Sequence, residues 1–174
     1  MFIKRLAAIG IAIVLTGCAS SVRLADNSNR QFISKEPANA ISISLSEEAK
    51  QKLTDNMKFD QNALLDTVKR AMTAKNLLNE SQSGPLNTVE IVVKDMRVRS
   101  NFSAIMFGFM AGNDNITGDV ILRDVSGKEL NRFEVSASYA LGGLAGGQDG
   151  ARMSWLYEKF ATHAVENLSG KVQN

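Results

Sequence analysis

From residue 40 onward the chain moves between two hydrophobic periods. Ile41, Ile43 and Leu45 stand at every second position, with Ser42 and Ser44 between them. This is the pattern of a half-buried strand over Ala40 to Ser46. Ser46, followed by Glu47 and Glu48, predicts the cap of a short helix, because acids in a first turn suit the helix dipole. Asp60 is the next candidate cap. Leu64, Leu65, Val68, Ala71 and Met72 follow at helical spacing, with Asp66, Lys69, Arg70 and Lys75 on the other side. They predict a helix ending near Leu78. Asn79 to Asn87, with Gly84-Pro85, reads as a loop.

Thr88 to Ser100 is expected to be one long strand. Val89, Ile91 and Val93 share a face; Met96 and Val98 then take the opposite parity, with Arg97 and Arg99 facing away. The change of phase at Lys94-Asp95 predicts a bulge or a bend. Ile116, Val120 and Leu122 mark a strand to Asp124, and Val125-Ser126-Gly127-Lys128 a tight turn. Glu129 to Tyr139 returns with Phe133, Val135, Ala137 and Tyr139 inward. A last helix starts near Arg152 and carries Met153, Leu156, Phe160, Ala164 and Leu168 in one stripe, with Gly170 as its stop.

The order β-α-β-β-β-α implies an α+β fold. The first crossover permits a parallel pair, and the last three strands can form an antiparallel meander. The economical packing is a two-layer sandwich: a four-stranded mixed sheet with the helices on one face. A meander also brings two loops to one edge, 101–115 and 140–150. The first holds Ile105, Met106, Phe107, Phe109 and Met110, and the second Leu141 and Leu144 among glycines. Apolar loops are unusual on a surface and often mark a partner or membrane contact. These seven residues are the candidate contacts, and core packing, protein contact and lipid contact all remain open for them.

The N-terminus has a different pattern. Lys4 and Arg5 precede an apolar run from Leu6 to Leu15. That run is too short to span a hydrocarbon core, which needs about 20 residues. A charged start, a short apolar centre and small residues behind it describe a secretory signal. Leu15-Thr16-Gly17-Cys18 resembles a bacterial lipobox. The resemblance implies a signal peptide over 1–17, cleavage before Cys18, diacylglycerol on its sulfur and acylation of the new terminus, usually with palmitate. More than one acyl chain makes anchoring stable. Ala19, rather than Asp, after the cysteine implies the periplasmic face of the outer membrane. Residues 18–39, rich in Ser, Asn and Gln, read as a lipidated flexible tether, on which Phe32 and Ile33 can dock. Residues 40–174 then form a single periplasmic domain.

This reading changes the charge balance. Loss of Lys4 and Arg5 brings the 20 basic residues level with the 18 acidic ones. The apparent positive charge, and with it the case for a nucleic-acid partner, disappears. Cys18 is the sole cysteine, so no internal disulfide forms and the core alone must hold the fold.

Catalytic and metal chemistry has little support. Gly142 to Gly150 lacks the register of a phosphate loop, and Asp149 would repel an anion. His163 is the only histidine and borders the apolar stripe of the last helix, where a structural role is expected. Asn113-Asp114-Asn115 lacks the spaced carboxylates of a calcium loop. Arg97 and Arg99 suit a solvated strand face better than an anion site.

Phe107-Gly108-Phe109-Met110-Ala111-Gly112, Gly118 to Asp124, Gly127-Lys128-Glu129-Leu130 and Phe133 together resemble the bacterial lipoproteins of domain of unknown function 4410. The resemblance brings no activity with it. The expectation is a non-enzymatic, lipid-anchored envelope lipoprotein without a cofactor. It meets the membrane through Cys18 and binds an envelope protein partner or a second copy of itself. Two alternatives are an oligomeric pore or secretion accessory, and an envelope hydrolase.

Overall fold

The computed structural model of the chain describes residues 20–25, 30–33, 37–81, 86–100, 112–140 and 149–170. The elements in order are β1 (Ser21–Leu24), β2 (Ala40–Leu45), α1 (Glu47–Lys52), a 3-10 turn (Leu53–Asn56), α2 (Gln61–Ala74), β3 (Thr88–Arg97), β4 (Asp114–Arg123), β5 (Glu129–Tyr139) and α3 (Asp149–Leu168). The sheet runs β1-β5-β4-β3-β2. β2 and β3 are parallel, and the remaining pairs are antiparallel.

The α+β class stands, but the sheet has five strands rather than four. The added strand comes from the stretch read as tether: Ser21 pairs with Ser136 and Leu24 with Phe133. Four residues flanked by polar chain carry too little alternation to announce a strand. Its place is set by the open edge of β5, whose unpaired backbone groups need partners.

The caps act as their sequence implies. Ser46 Oγ accepts from the Ala49 amide at 3.2 Å. Asp60 Oδ1 accepts from the Asn62 and Ala63 amides at 2.9 and 3.0 Å. α2 stops at Ala74, short of Leu78, because Asn76 takes a left-handed φ of 56°. The Leu77 amide then donates back to the Met72 carbonyl and the Asn76 amide to Thr73. This is a Schellman closure with Asn in the position usually held by Gly. Leu77 and Leu78 are thereby turned into the core, and Leu78 forms a bridge with Ala38.

One face of the sheet carries the core. Val89, Ile91 and Val93 of β3, Ile116, Val120 and Leu122 of β4, and Phe133, Val135 and Ala137 of β5 are all buried. Leu64, Val68 and Met72 of α2 and Leu156, Phe160, Ala164 and Leu168 of α3 cover them. The two helices also pack on each other. Each large side chain of this set contributes roughly 1.5–3 kcal/mol over leaving it exposed.

The phase change in β3 is a register shift between Val93 and Asp95. Gly118 lies opposite Val93, and a Cβ there would meet the Val92 carbonyl oxygen at 2.9 Å. Glycine therefore lets the two backbones approach at the bulge. Gly170 ends α3 at a φ of 73°, with Phe32 against it, and the Ile33 amide donates to the Leu168 carbonyl. Ile33 is buried, so this part of the N-terminal segment also docks on the domain.

Candidate functional site at the loop stems

The seven loop candidates, Ile105, Met106, Phe107, Phe109, Met110, Leu141 and Leu144, and the lipidation candidate Cys18 lie outside the described residues. The residues that frame the two loops are described, and they hold a feature that the sequence reading missed.

β3 ends at Arg97, and the chain turns inward. Arg99, expected on a solvated face, is 4% exposed. Its guanidinium donates to Asp114 through Nε at 3.2 Å and Nη2 at 3.0 Å, and its backbone amide donates to the same carboxylate at 2.7 Å. Nη2 also donates to the Tyr139 carbonyl at 3.3 Å. Arg99 precedes the first loop, Asp114 follows it, and Tyr139 precedes the second. Arg152, in the first turns of α3, follows the second loop and is 1% exposed. Its Nη2 donates to the Arg99 carbonyl at 3.0 Å and to Asp149 at 2.5 Å, while its Nε lies 3.6 Å from Asp114. One ionic cluster thus ties all four stems together. The expected adjacency of the loops holds at their bases, and the meander and α3 produce it.

The cluster is not fully balanced in hydrogen bonds. Asp114 serves both guanidinium groups, and among the described residues Arg152 Nε and Nη1 have no hydrogen-bond partner. Asp149 is shared with Lys58 at the rim. A buried carboxylate between two guanidiniums is held by Coulomb attraction in a low-dielectric setting, and removing it leaves uncompensated charge. Arg99 and Asp114 at the two ends of the first apolar stretch, and Asp149 and Arg152 after the second, were the only signal for this cluster in the sequence.

A groove of about 650 Å³ opens beside the cluster, between α2 and α3, with Lys58, Asp60, Arg70, Asp149 and Tyr157 in its wall. Its charged groups already have partners. Asp60 caps α2, Asp149 pairs with Lys58 and Arg152, and Arg70 bonds Thr67 at 3.1 Å. The Tyr157 hydroxyl accepts from the Asp60 amide at 2.8 Å, and burial pushes its pKa up to about 12. It is therefore a neutral, structural hydroxyl at ordinary pH.

The opposite face of the sheet bears a second ionic group. Lys94 bridges Asp119 at 3.2 Å and Glu134 at 2.6 Å, and Arg132 joins Asp119 at 3.1 Å to Glu129 at 2.8 Å. Asp119 and Glu134 stand directly opposite each other, so Lys94 relieves a like-charge pair. The bond to Glu134 is the main cause that holds the Lys94 ammonium above its ordinary pKa.

His163 is half-buried, with Nε2 at 2.6 Å from the Ser20 hydroxyl and Nδ1 at 3.7 Å from Glu166. Asp114, from the polar turn weighed as a calcium contact, is engaged by Arg99. Among the described residues there is no group of three or more side chains suited to a metal, and no helix long and apolar enough to cross a membrane.

Fold and site together define a mixed α+β domain in which a buried ionic cluster bases two apolar loops. The chain belongs to the family described as Domain of unknown function (DUF4410), matched over residues 16–143. The match begins two residues before Cys18 and ends at Gly143, so it leaves α3 outside. The chain is also similar to solved structures. A PelC dodecamer from Paraburkholderia phytofirmans shares 13% identity, covering 82% of this chain and 96% of that one, with a TM-score of 0.47. A minor lipoprotein from Acinetobacter baumannii shares 12% identity, covering 76% and 93%, with a TM-score of 0.43. No curated protein matches the sequence.

Proposed function

We propose that the protein is a non-enzymatic envelope lipoprotein. It is anchored through acyl chains on Cys18 at the periplasmic face of the outer membrane and binds or assembles an envelope protein partner through its two apolar loops. The observation that carries this reading is the cluster of Arg99, Asp114 and Arg152. A buried ionic clamp across four loop stems gives two apolar segments one common base, and preorganisation of this kind lowers the ordering cost of binding. The lipobox pattern supports the anchor, and in the α2–α3 groove Asp60 is spent on a helix cap and Asp149 on ion pairs.

Photo-crosslinkers placed at Ile105 and at Leu144 in the membrane-bound protein test the proposal. Both positions are expected to capture the same envelope protein, and a crosslinker at Val125 in the distant β4–β5 turn none. Capture of unrelated proteins in equal yield from all three positions would overturn it. Crosslinks solely between copies of the chain would replace the partner with self-association.

A further inference from the structure

We propose that the end of the domain carrying Tyr139, Trp155 and Lys159 rests directly on the lipid bilayer. The inference rests on lipid attachment at Cys18, proposed above, and adds the orientation of the domain.

The direction of β1 supplies the argument. β1 is antiparallel to β5, with Leu24 opposite Phe133 and Ser21 opposite Ser136. β5 runs toward Tyr139. Traced back toward the N-terminus, β1 therefore runs toward the Tyr139 end of the sheet, the end from which both loops leave. Ser20, the residue before β1, lies 2.6 Å from His163 Nε2 on α3, about two helical turns beyond Trp155. Only Ala19 separates Ser20 from Cys18, and two residues of extended chain span at most about 7 Å. A sulfur at the bilayer surface on so short a lead leaves the domain no freedom to stand off. A flexible spacer of ~20 residues would average roughly 25 Å; here Ser21–Leu24 of that stretch are paired with β5.

The surface at that end suits a headgroup layer. Trp155, Lys159 and His163 recur at every fourth residue of α3, so one stripe leads from the Ser20 contact toward Tyr139. The Trp155 ring lies 5.1 Å from the Tyr139 ring, and Lys159 Nζ stands 5.6 Å from the Trp155 ring. Trp155 and Lys159 are half-buried. An indole at the boundary with an ammonium beside it matches the aromatic and cationic anchors of membrane interfaces, where the ring sits at headgroup depth and the cation meets phosphate. Of the acids of α3 near the stripe, Glu166 lies beside His163, at the far side from Trp155. Glu158 turns toward Arg70 of α2.

The chain has a single tryptophan and a single cysteine, which makes the test direct. The chain starting at Cys18 is coupled through that thiol to a maleimide-headgroup lipid in phosphatidylethanolamine/phosphatidylglycerol vesicles. Trp155 emission is then compared with and without lipids brominated close to the headgroup. The expected result is a blue shift on coupling and a loss of emission in brominated vesicles, with emission recovered when a Gly/Ser spacer of a dozen residues is inserted after Cys18. A Trp155→Phe, Val125→Trp variant places the reporter at the opposite end of β5, roughly 30 Å away, and is expected to stay unquenched. Equal Trp155 emission in brominated and plain vesicles would overturn the orientation, as would quenching of the Val125→Trp reporter instead. Mass spectrometry of the protein extracted from envelopes decides separately whether Cys18 is acylated. A bare thiol would sink the anchor and the physiological meaning of the orientation, whereas an acylated Cys18 with unquenched Trp155 would sink the orientation alone.

Discussion

Asp114 and Asp119 lie on the same strand, and each serves two cations. Asp114 sits at the start of β4 between Arg99 and Arg152, with its side chain 0% exposed. Asp119 lies on the outer face between Lys94 and Arg132, 17% exposed, and its cations are wetter still, at 43% and 36%. The chemistry is nearly the same, and the solvent is not. Water screens the outer group and can replace any lost partner. At the loop stems there is little water to do so, and each charge depends on the others. The inner cluster is therefore an all-or-none clamp on four stems, while the outer one is a lattice of replaceable contacts.

The sharpest way to break this comparison is Asp114→Asn. It keeps the shape of the side chain and leaves two buried guanidinium groups without their shared anion. Stability is expected to fall by about 3–5 kcal/mol, read from the midpoint of urea unfolding. A loss no larger than that of an outer-face substitution would mean that the clamp is hydrated and the contrast false.

Tyr157 tests burial without charge. Tyr157→Phe removes the acceptor of the Asp60 amide and is expected to cost about 1 kcal/mol. The native hydroxyl also sets a pH window. Burial raises its folded pKa from the ordinary 10.0 to about 12, so the folded state holds the proton more tightly than the unfolded one. That contribution is complete below pH 10 and is lost as pH rises through about 12. Stability of the native protein should fall more steeply over this window than that of Tyr157→Phe; parallel curves would refute the burial argument.

The smallest effect belongs to Lys94→Met. It removes the bridge between Asp119 and Glu134 and is expected to cost under about 1 kcal/mol at low salt. In 1 M NaCl, where the screening length is about 3 Å, the difference should vanish. A salt-independent loss would place the outer lattice in the same class as the inner clamp.

Much of the fold could be read from residue order, because its strands and helices each bury one face. The Glu129–Tyr139 strand, the two capped helix starts and the bulge after Val93 all follow from local periodicity and capping chemistry. Gly170 stopped α3 as its conformational freedom implies. The misses share a cause: each depends on a neighbour distant in the chain. β1 is defined by the open edge of β5 rather than by its own four residues. Arg99 continues the outward parity of the strand on paper, but the strand ends at Arg97, and Asp114 draws the next arginine inward. α2 stops early because Asn76 accepts a left-handed conformation and the core takes Leu77 and Leu78. The candidate site was legible as two neighbouring loops and illegible as a clamp, since nothing in a single sequence pairs Arg99 with Asp114 or Arg152 with the Arg99 carbonyl.

The pairing of β1 with β5 also orders events in time. Ser21 meets Ser136 across more than a hundred residues of chain. β1 comes early in the chain, yet its partner edge does not exist until β4 and β5 have formed a hairpin. Closing so long a loop is slow compared with hairpin formation. The part of the domain closest to Cys18 is thus expected to join the sheet last. Until it does, the edge of β5 stays open to any other strand, including one from a second chain.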